Sequence, residues 1–172
     1  MRILLFGGTA EGHALAQRLA QAGYPVTCCV ATDYGRDVLE PQPNLTVRMG
    51  RMDQRAMEAE MAKGYDILLE IDYHGGLRVK EAYPDAVLVF IAPPTIGELK
   101  KRLIGRQSES EEMLEVRMRT AQEEISMMDR YDYVIVNDEV ERAVDTLEAI
   151  VCAEKCRMDR NGWMIEKLKE EL

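Results

Sequence analysis

The stretch MRILLFGGTAEGHALAQRLAQAG, from Met1 to Gly23, decides the fold. Its apolar run Arg2–Phe6 has the length of a buried strand and breaks into the glycine-rich segment Gly7–Gly12. Apolar residues then recur at helical spacing until Gly23, where a glycine ends the helix. A strand, a glycine turn and a helix in this order direct backbone N–H groups and the positive helix end at one point. The stretch therefore predicts a phosphate-binding turn with free N–H groups.

The glycine spacing of this turn limits which phosphate-binding motif it can be. Gly7 and Gly12 have the G-x-x-x-x-G spacing of a P-loop, but His13 and Ala14 stand where a P-loop has Lys and Ser/Thr. The G-x-G-x-x-G fingerprint of dinucleotide folds is also incomplete, because Ala10 fills no glycine position. We expect phosphate binding without phosphoryl transfer, and a structural turn without a ligand is the alternative. His13 is expected at the surface of the helix start. The residues assigned to phosphate binding are Gly7, Gly8, Thr9, Ala10, Glu11, Gly12 and His13.

Composition and charge limit the partners of the chain. Its 172 residues carry a net charge of −9 and no dense run of Lys or Arg, so a nucleic-acid partner is not expected. No apolar stretch approaches the ~20 residues that span a bilayer, and the first strand leaves no room for a signal peptide. We expect a cytoplasmic protein without a membrane partner. The four cysteines indicate buried or half-buried reduced thiols, and no metal site is expected.

Strands alternate with helices along the chain. Strands are predicted at 2–6, 26–31, 45–49, 66–72, 86–92 and 133–136. Asp53 and Thr95 are the predicted N-caps of two of the helices between them. This alternation predicts a three-layer α/β fold of the P-loop or Rossmann type, with a mostly parallel sheet and helices on both faces. We assign residues 1–160 to one nucleotide-binding domain and residues 161–172 to a helical tail.

A second candidate site follows the second strand. Asp33 lies 21 residues past Gly12 (33 minus 12), about where a dinucleotide fold has the acid that binds a ribose hydroxyl. Arg36 could hold the 2′-phosphate of NADPH instead. Thr32, Asp33 and Arg36 form this NADPH alternative, and solvated loop residues without a ligand are the other interpretation.

Three segments within residues 1–59 resemble the beginning of a precorrin-6A reductase, an NADPH-dependent enzyme of the corrin pathway. They are Leu5–Gly12, Val30–Gly35 and Gly50–Asp53. The resemblance implies that Gly8, Thr9 and Gly12 bind the phosphates of NADPH.

Residues 60–160 resemble the second half of a guanylate kinase, in a longer and more specific match. The segments that carry it are Leu68–Gly75, Ile91–Pro94, Arg102–Arg106, Ser110–Glu112 and Tyr131–Asp138. The resemblance implies that Arg106 and Arg117 are catalytic and reach the transferring phosphates, where charge stabilisation is needed. It places Asp72 at the guanosine monophosphate site and Asn137 beside the ATP base. A pair of surface charges balanced by neighbouring glutamates is the alternative for the two arginines.

Each resemblance lacks the part that completes the chemistry of its family. A guanylate kinase has Lys and Ser/Thr in its phosphate loop and a separate lobe for the acceptor nucleotide. This chain has His13 and Ala14 there, and reductase-like sequence in place of the lobe. The reductase family has a second domain for its tetrapyrrole, which this chain does not match. The sequence indicates a chimera, natural or constructed, joined near residues 59–64.

Three functions remain open from the sequence. The first is a nucleotide-binding protein of guanylate-kinase-like descent, with ATP, GMP and Mg²⁺ as family ligands and with impaired phosphoryl transfer. The second is an NADPH-dependent oxidoreductase similar to precorrin-6A reductase, and the third is a non-catalytic chimeric α/β scaffold. A small-molecule nucleotide is the expected partner, and homodimer formation is left open.

Overall fold

The computed structural model describes residues 1–105 and 111–172, in which strands and helices alternate as predicted. The strands are β1 (Arg2–Phe6), β2 (Val26–Val30), β3 (Leu45–Met49), β4 (Tyr65–Leu69), β5 (Val89–Ala92) and β6 (Tyr133–Val136). The α-helices are α1 (Ala10–Gln21), α2 (Asp33–Asp37), α3 (Gln54–Ala62), α4 (Tyr73–Ala82), α5 (Ile96–Gly105), α6 (Glu111–Ser126), α7 (Val140–Lys155) and α8 (Gly162–Glu170). Short 3₁₀ turns cover Met128–Arg130 and Met158–Arg160.

The larger sheet joins the two halves of the sequence. Its strand order is β3-β2-β1-β4, and every pairing is parallel. β1 and β4 pair from Arg2 opposite Tyr65 to Phe6 opposite Leu69. Because β4 lies in the part that resembles guanylate kinase, the two halves share one sheet. The carboxyl ends of β1, β2 and β4 therefore meet at the same edge.

β5 and β6 form a second parallel sheet, and no ladder between described residues joins it to β4. β5 begins later than predicted, because the backbone before it is bonded elsewhere. The carbonyl of Ala86 accepts from Lys80 Nζ at 2.6 Å, and the N–H of Leu88 donates to Asp132 Oδ2 at 2.8 Å. β4 ends before Asp72, because Asp72 caps the following helix. The structure thus divides the predicted sheet into two parallel sheets.

The main hydrophobic core lies between α1 and the larger sheet. Ile3, Leu5 and Leu19 are each at most 2% exposed and belong to one buried cluster. The smaller sheet contributes buried side chains such as Ile135, but Ile91 and Val134 on its strands are about half exposed. β1 is consequently the best-packed strand, and the turn after it starts from a rigid base.

Helix ends follow the predicted signals. Asp53 Oδ1 accepts from the N–H of Ala56 at 2.8 Å, and Thr95 Oγ1 accepts from the N–H of Glu98 at 3.1 Å, so both predicted caps are confirmed. Gly23 follows α1 with a φ of 90°, a left-handed conformation that favours glycine. Within residues 1–105 and 111–172, none of the helices is long and apolar enough to cross a bilayer.

Candidate functional site

The turn between β1 and α1 begins with a side-chain cap. Thr9 is the N-cap of α1, and its Oγ1 accepts from the N–H of Gly12 at 3.2 Å. Its carbonyl accepts from the N–H of His13 at 3.1 Å. Thr9 thereby satisfies two of the N–H groups that a helix start leaves unpaired.

A carboxylate from β4 occupies this turn. The N–H of Gly8 donates to Glu70 Oε2 at 3.2 Å, and the hydroxyl of Thr9 donates to Glu70 Oε1 in a short hydrogen bond. Glu70 comes directly after β4, and its own N–H donates to the carbonyl of Phe6 at 2.9 Å. The pairing of β4 with β1 therefore places the Glu70 carboxylate over the turn.

The glycines of the turn are shaped around this carboxylate. A Cβ atom on Gly12 would clash with Glu70 Oε2, and one on Gly7 would lie 2.8 Å from the same oxygen. Gly8 has open space where a Cβ would be. Gly7 and Gly12 thus provide room for the Glu70 carboxylate, an oxyanion. The prediction of free N–H groups is wrong for Gly8 and Gly12, because both are paired within the protein.

His13 is buried, which contradicts the prediction of a surface residue. It is 8% exposed, and its Nε2 has no hydrogen-bond partner among the described residues. The physical reason is helical periodicity, because His13 lies on the same face of α1 as Ala16 and Ala20, which pack against the sheet. His13 is therefore no replacement for the flexible lysine of a P-loop.

Asp72 lies at the carboxyl end of β4 and begins α4. Its Oδ1 accepts from the N–H of Gly75 at 2.7 Å. Burial and then the negative charge of Asp72 raise the pKa of the Glu124 carboxyl on α6. Burial, followed by the charges of Glu124 and Asp72, also raises the pKa of Tyr131. The charge of Asp72 therefore acts on both Glu124 and Tyr131, and no sequence signal singled out Glu124.

For the other residues that the guanylate kinase resemblance implies, the structure gives the position in the fold but few side-chain contacts. Arg117 lies on α6, two helical turns before Glu124, so both side chains belong to the same helix face. Asn137 follows β6 directly, and its N–H donates to the carbonyl of Ala92 at 2.8 Å. Arg106 lies outside the described residues. Ala10 and Glu11 start α1, but their side chains are likewise outside the description.

The residues of the NADPH alternative gather at the carboxyl end of β2. Thr32 caps α2, and its Oγ1 accepts from the N–H of Gly35 at 3.2 Å. Arg36 lies 3.0 Å from Asp33 and 3.0 Å from Asp37 in two ion pairs. Because β2 pairs with β1, this group lies next to the glycine turn. A 2′-phosphate would have to compete with both carboxylates for Arg36.

The cysteines differ in exposure. Cys28 and Cys29 are buried as expected, and burial raises the pKa of Cys28 to about 11, which keeps its thiol protonated and unreactive. Cys152 and Cys156 are exposed, contrary to the expectation of buried or half-buried thiols, because they lie four positions apart on one exposed face near the end of α7. In the described part of the chain, no group of three or more His, Cys, Asp or Glu side chains could hold a metal ion.

A charged cavity of about 680 Å³ lies at the opposite edge of the smaller sheet, near the start of β6. Glu154, only 7% exposed, accepts from the hydroxyl of Tyr133 at 2.6 Å and lies 3.4 Å from Arg160. Lys80 pairs with Asp132 at 2.9 Å. These charged groups are paired with one another, so the cavity is lined by a structural network.

The residues at the turn do not fit a magnesium-bound triphosphate in the manner of a P-loop. His13 and Ala14 offer neither the phosphate-binding ammonium nor the hydroxyl that ligates magnesium. The one hydroxyl in the turn, that of Thr9, is bonded to Gly12 and Glu70. The donors of the turn that hold the Glu70 carboxylate are the Gly8 N–H and the Thr9 hydroxyl.

Two family models match the chain and overlap at the joint. The model described as guanylate kinase matches residues 49–154, and the model described as precorrin-6x reductase CbiJ/CobK matches residues 2–72. Their overlap covers α3 and β4, and it contains the predicted joint near residues 59–64.

Curated relatives of the chain include guanylate kinases, and one solved structure shares the fold. Guanylate kinase from Bacillus cereus is 45% identical over 116 residues, which cover 67% of this chain and 57% of the relative. Guanylate kinase from Halalkalibacterium halodurans is 51% identical over 104 residues, covering 60% of this chain and 50% of the relative. The chain thus spans about half the length of the curated relatives it matches. The crystal structure of guanylate kinase from Anaplasma phagocytophilum shares the fold, with a TM-score of 0.51 at 20% identity over 93% of this chain and 88% of that chain.

The family model that matches residues 49–154 covers more than half of the chain, from the end of β3 to the end of α7. The reductase model covers residues 2–72, from β1 through β4, which is less than half of the chain. By the larger of these two matches, this chain belongs to the guanylate kinase family.

Proposed function

We propose that the chain binds a nucleotide through a phosphate at the turn after β1 and transfers phosphate at best at a background rate. The observation that supports phosphate binding is that the turn holds an oxyanion, the Glu70 carboxylate, with the Gly8 amide and the Thr9 hydroxyl. A phosphate requires the same donors, and the N-terminus of α1 favours its charge.

The impaired transfer follows from the side chains of the turn. His13 is buried in the position where a kinase needs a mobile lysine, and Ala14 carries no hydroxyl. Loss of both groups removes several kcal/mol of transition-state stabilisation. The reductase-like residues also replace the segment where the acceptor lobe is expected.

The acceptor side of the proposed site lies in the guanylate-kinase-like half. We assign guanosine monophosphate to Asp72, the ATP base to Asn137, and phosphate charge to Arg117 and Arg106. Asp72 follows β4, and Asn137 follows β6. Both residues therefore lie beyond the carboxyl end of a parallel strand, which is where such sheets bind ligands. Arg117 and Glu124 lie on the same face of α6, and the charge of Asp72 raises the pKa of Glu124. This supports the assignment of Arg117 and Asp72 to one site.

Titration calorimetry of the purified chain with ATP, GMP and NADPH tests this function. We expect heat from ATP and GMP, and we expect Asp72→Asn to weaken GMP binding at least tenfold. Asp53→Asn is the matched control, because Asp53 caps α3 as Asp72 caps α4. A coupled kinase assay that shows robust phosphorylation of GMP would contradict the impaired transfer. Binding of none of the three nucleotides would favour the non-catalytic scaffold.

NADPH-dependent redox chemistry is the second candidate, favoured by the reductase model that matches residues 2–72. Here the glycine turn would bind the pyrophosphate, and Arg36 would bind the 2′-phosphate. The expected result is tighter binding of NADPH than of NADH, with the difference lost in Arg36→Ala. Equal affinities in the unmodified chain would argue against the role of Arg36. We expect a cytoplasmic protein in either case, and light scattering tests whether the chain forms a homodimer.

A further inference from the structure

We propose that Glu70 is an internal competitor for the phosphate site. Its carboxylate closes the glycine turn in the ligand-free chain and has to swing out before a phosphate binds. This inference rests on the proposed phosphate site and adds a regulatory contact to it.

The contacts of Glu70 exclude a second anion. The single N–H of Gly8 points at Glu70 Oε2, and the Thr9 hydroxyl points at Oε1, so both donors are used. The carboxylate also fills the space that the absent Cβ atoms of Gly7 and Gly12 leave. A phosphate in the same space would lie within contact distance of a like charge, which repels it. Carboxylate and phosphate therefore bind in alternation.

The side chain is able to leave while its backbone stays in place. The N–H of Glu70 is fixed by its bond to the carbonyl of Phe6, the last link of the β1–β4 pairing. Beyond this anchor, Glu70 is solvent-exposed and its carboxylate hangs on a flexible chain of two methylene groups. Water can solvate the displaced carboxylate, so opening costs little beyond the two hydrogen bonds to the turn.

The closed turn also gives Glu70 a role in stabilising the start of α1. The start of α1 carries a cluster of N–H dipoles, which favours a nearby negative charge. Glu70 supplies this negative charge from within the chain. Because Glu70 occupies the turn, external anions bind to it more weakly.

Calorimetric titration with inorganic pyrophosphate tests the competition at constant ionic strength. The variants are Glu70→Gln, which keeps the shape without the charge, and Glu70→Asp, whose shorter side chain reaches the turn less well. Glu81→Gln is the control, because Glu81 is an exposed carboxylate on α4 away from the turn. We expect Glu70→Gln to bind pyrophosphate at least tenfold more tightly than the unmodified chain, with Glu70→Asp intermediate and Glu81→Gln unchanged.

The outcomes separate the two proposals. If the unmodified chain and all variants bind pyrophosphate with the same affinity, the phosphate site stands and the competition by Glu70 is overturned. If none of them binds, the phosphate site itself fails, and the inference fails with it. Circular dichroism of each variant establishes that it is folded, and Glu70→Asp provides a second variant should Glu70→Gln not fold.

Discussion

A single methyl group at position 12 changes what the glycine turn can hold. The Cβ atom of an alanine at this position would take the space that Glu70 Oε2 now occupies and that, in our proposal, a phosphate oxygen needs, whereas alanine at position 8 meets open space. We predict that Gly12→Ala weakens pyrophosphate binding at least tenfold, while Gly8→Ala leaves Glu70 in its place. Because position 12 lies in the first turn of α1, where alanine is favoured over glycine by about 1 kcal/mol, the fold should keep its stability. Calorimetry and thermal unfolding of both variants measure these effects, and unchanged binding by Gly12→Ala would show that phosphate sits elsewhere.

At the level of single residues, sequence patterns predicted local contacts but not contacts between distant parts of the chain. The capping roles of Asp53 and Thr95 were predictable, because each depends on a few neighbouring residues. The position of Glu70 was not, because the β1–β4 pairing brings it to a turn about 60 residues away in sequence. The burial of His13 was missed for another reason: a polar side chain at a helix start was expected at the surface, although its spacing to Ala16 and Ala20 places it on the packed face of α1.

At the level of elements, β1 contributes most to the core. Leu5 on β1 is 2% exposed, whereas Ile91 on β5 is 47% exposed. We predict that Leu5→Ala lowers the free energy of unfolding by about 2–5 kcal/mol, because it leaves a cavity among close-packed side chains. Ile91→Ala is the matched control on the smaller sheet and should cost well under half as much. Urea denaturation measures both, and equal losses would contradict the assignment of the main core to the larger sheet.

The segment before β5 is connected to β6 through Asp132. Burial favours the neutral carboxyl, but the N–H of Leu88 and the ammonium of Lys80 outweigh it and lower the pKa of Asp132. A lowered pKa in the folded state stabilises the fold above the pKa of the unfolded chain, about 4. This contribution is lost as the pH falls through the lower pKa of the folded state.

Asp132→Asn tests this connection between elements. We predict that the variant is less stable than the unmodified chain at pH 7 and that the difference shrinks as the pH falls below about 4. Thermal unfolding at pH 7, 5, 4 and 3 measures the difference. A difference that stays constant over this range would show that the Asp132 carboxylate is not the group responsible.

Elements were the most predictable level of the structure. The alternation of strands and helices, and the strand–turn–helix unit at the start, followed from apolar periodicity and glycine positions. The division into two sheets could not be predicted, because it depends on the side-chain bonds of Lys80 and Asp132 to the backbone before β5. Strand patterns report burial, and they do not report which strands become neighbours.

The whole molecule combines two family segments in one shared sheet. The larger sheet holds the buried cluster, while strands of the smaller sheet leave apolar side chains exposed. We therefore predict that amide protons of β1 and β2 exchange only through global unfolding, and that those of β5 and β6 exchange through openings of lower free energy. Native-state hydrogen exchange in low denaturant separates the two classes. Identical opening free energies for both sheets would show that the chain unfolds as one unit.

The chimeric organisation explains why the chain has the glycine turn and Asp72 but lacks the P-loop side chains that assist phosphate transfer. The larger sheet carries the glycine turn, which lies in the reductase match, and Asp72, where the two family matches overlap, to the same edge. The side chains that would transfer phosphate do not accompany them, since His13 is buried and the turn is closed by Glu70. These features are the reason why we propose nucleotide binding without efficient phosphoryl transfer.

The most direct test is a ¹H–¹⁵N NMR titration of the isotopically labelled chain with ATP. It follows the backbone amides of Gly8 and Gly12, with that of Gly162 as a remote reference. If the turn after β1 binds the phosphates, the Gly8 and Gly12 signals shift in a saturable manner as Glu70 is displaced, and the Gly162 signal does not move. Saturable shifts elsewhere in the chain with Gly8 and Gly12 unchanged would contradict the account, because they would place the nucleotide away from this turn.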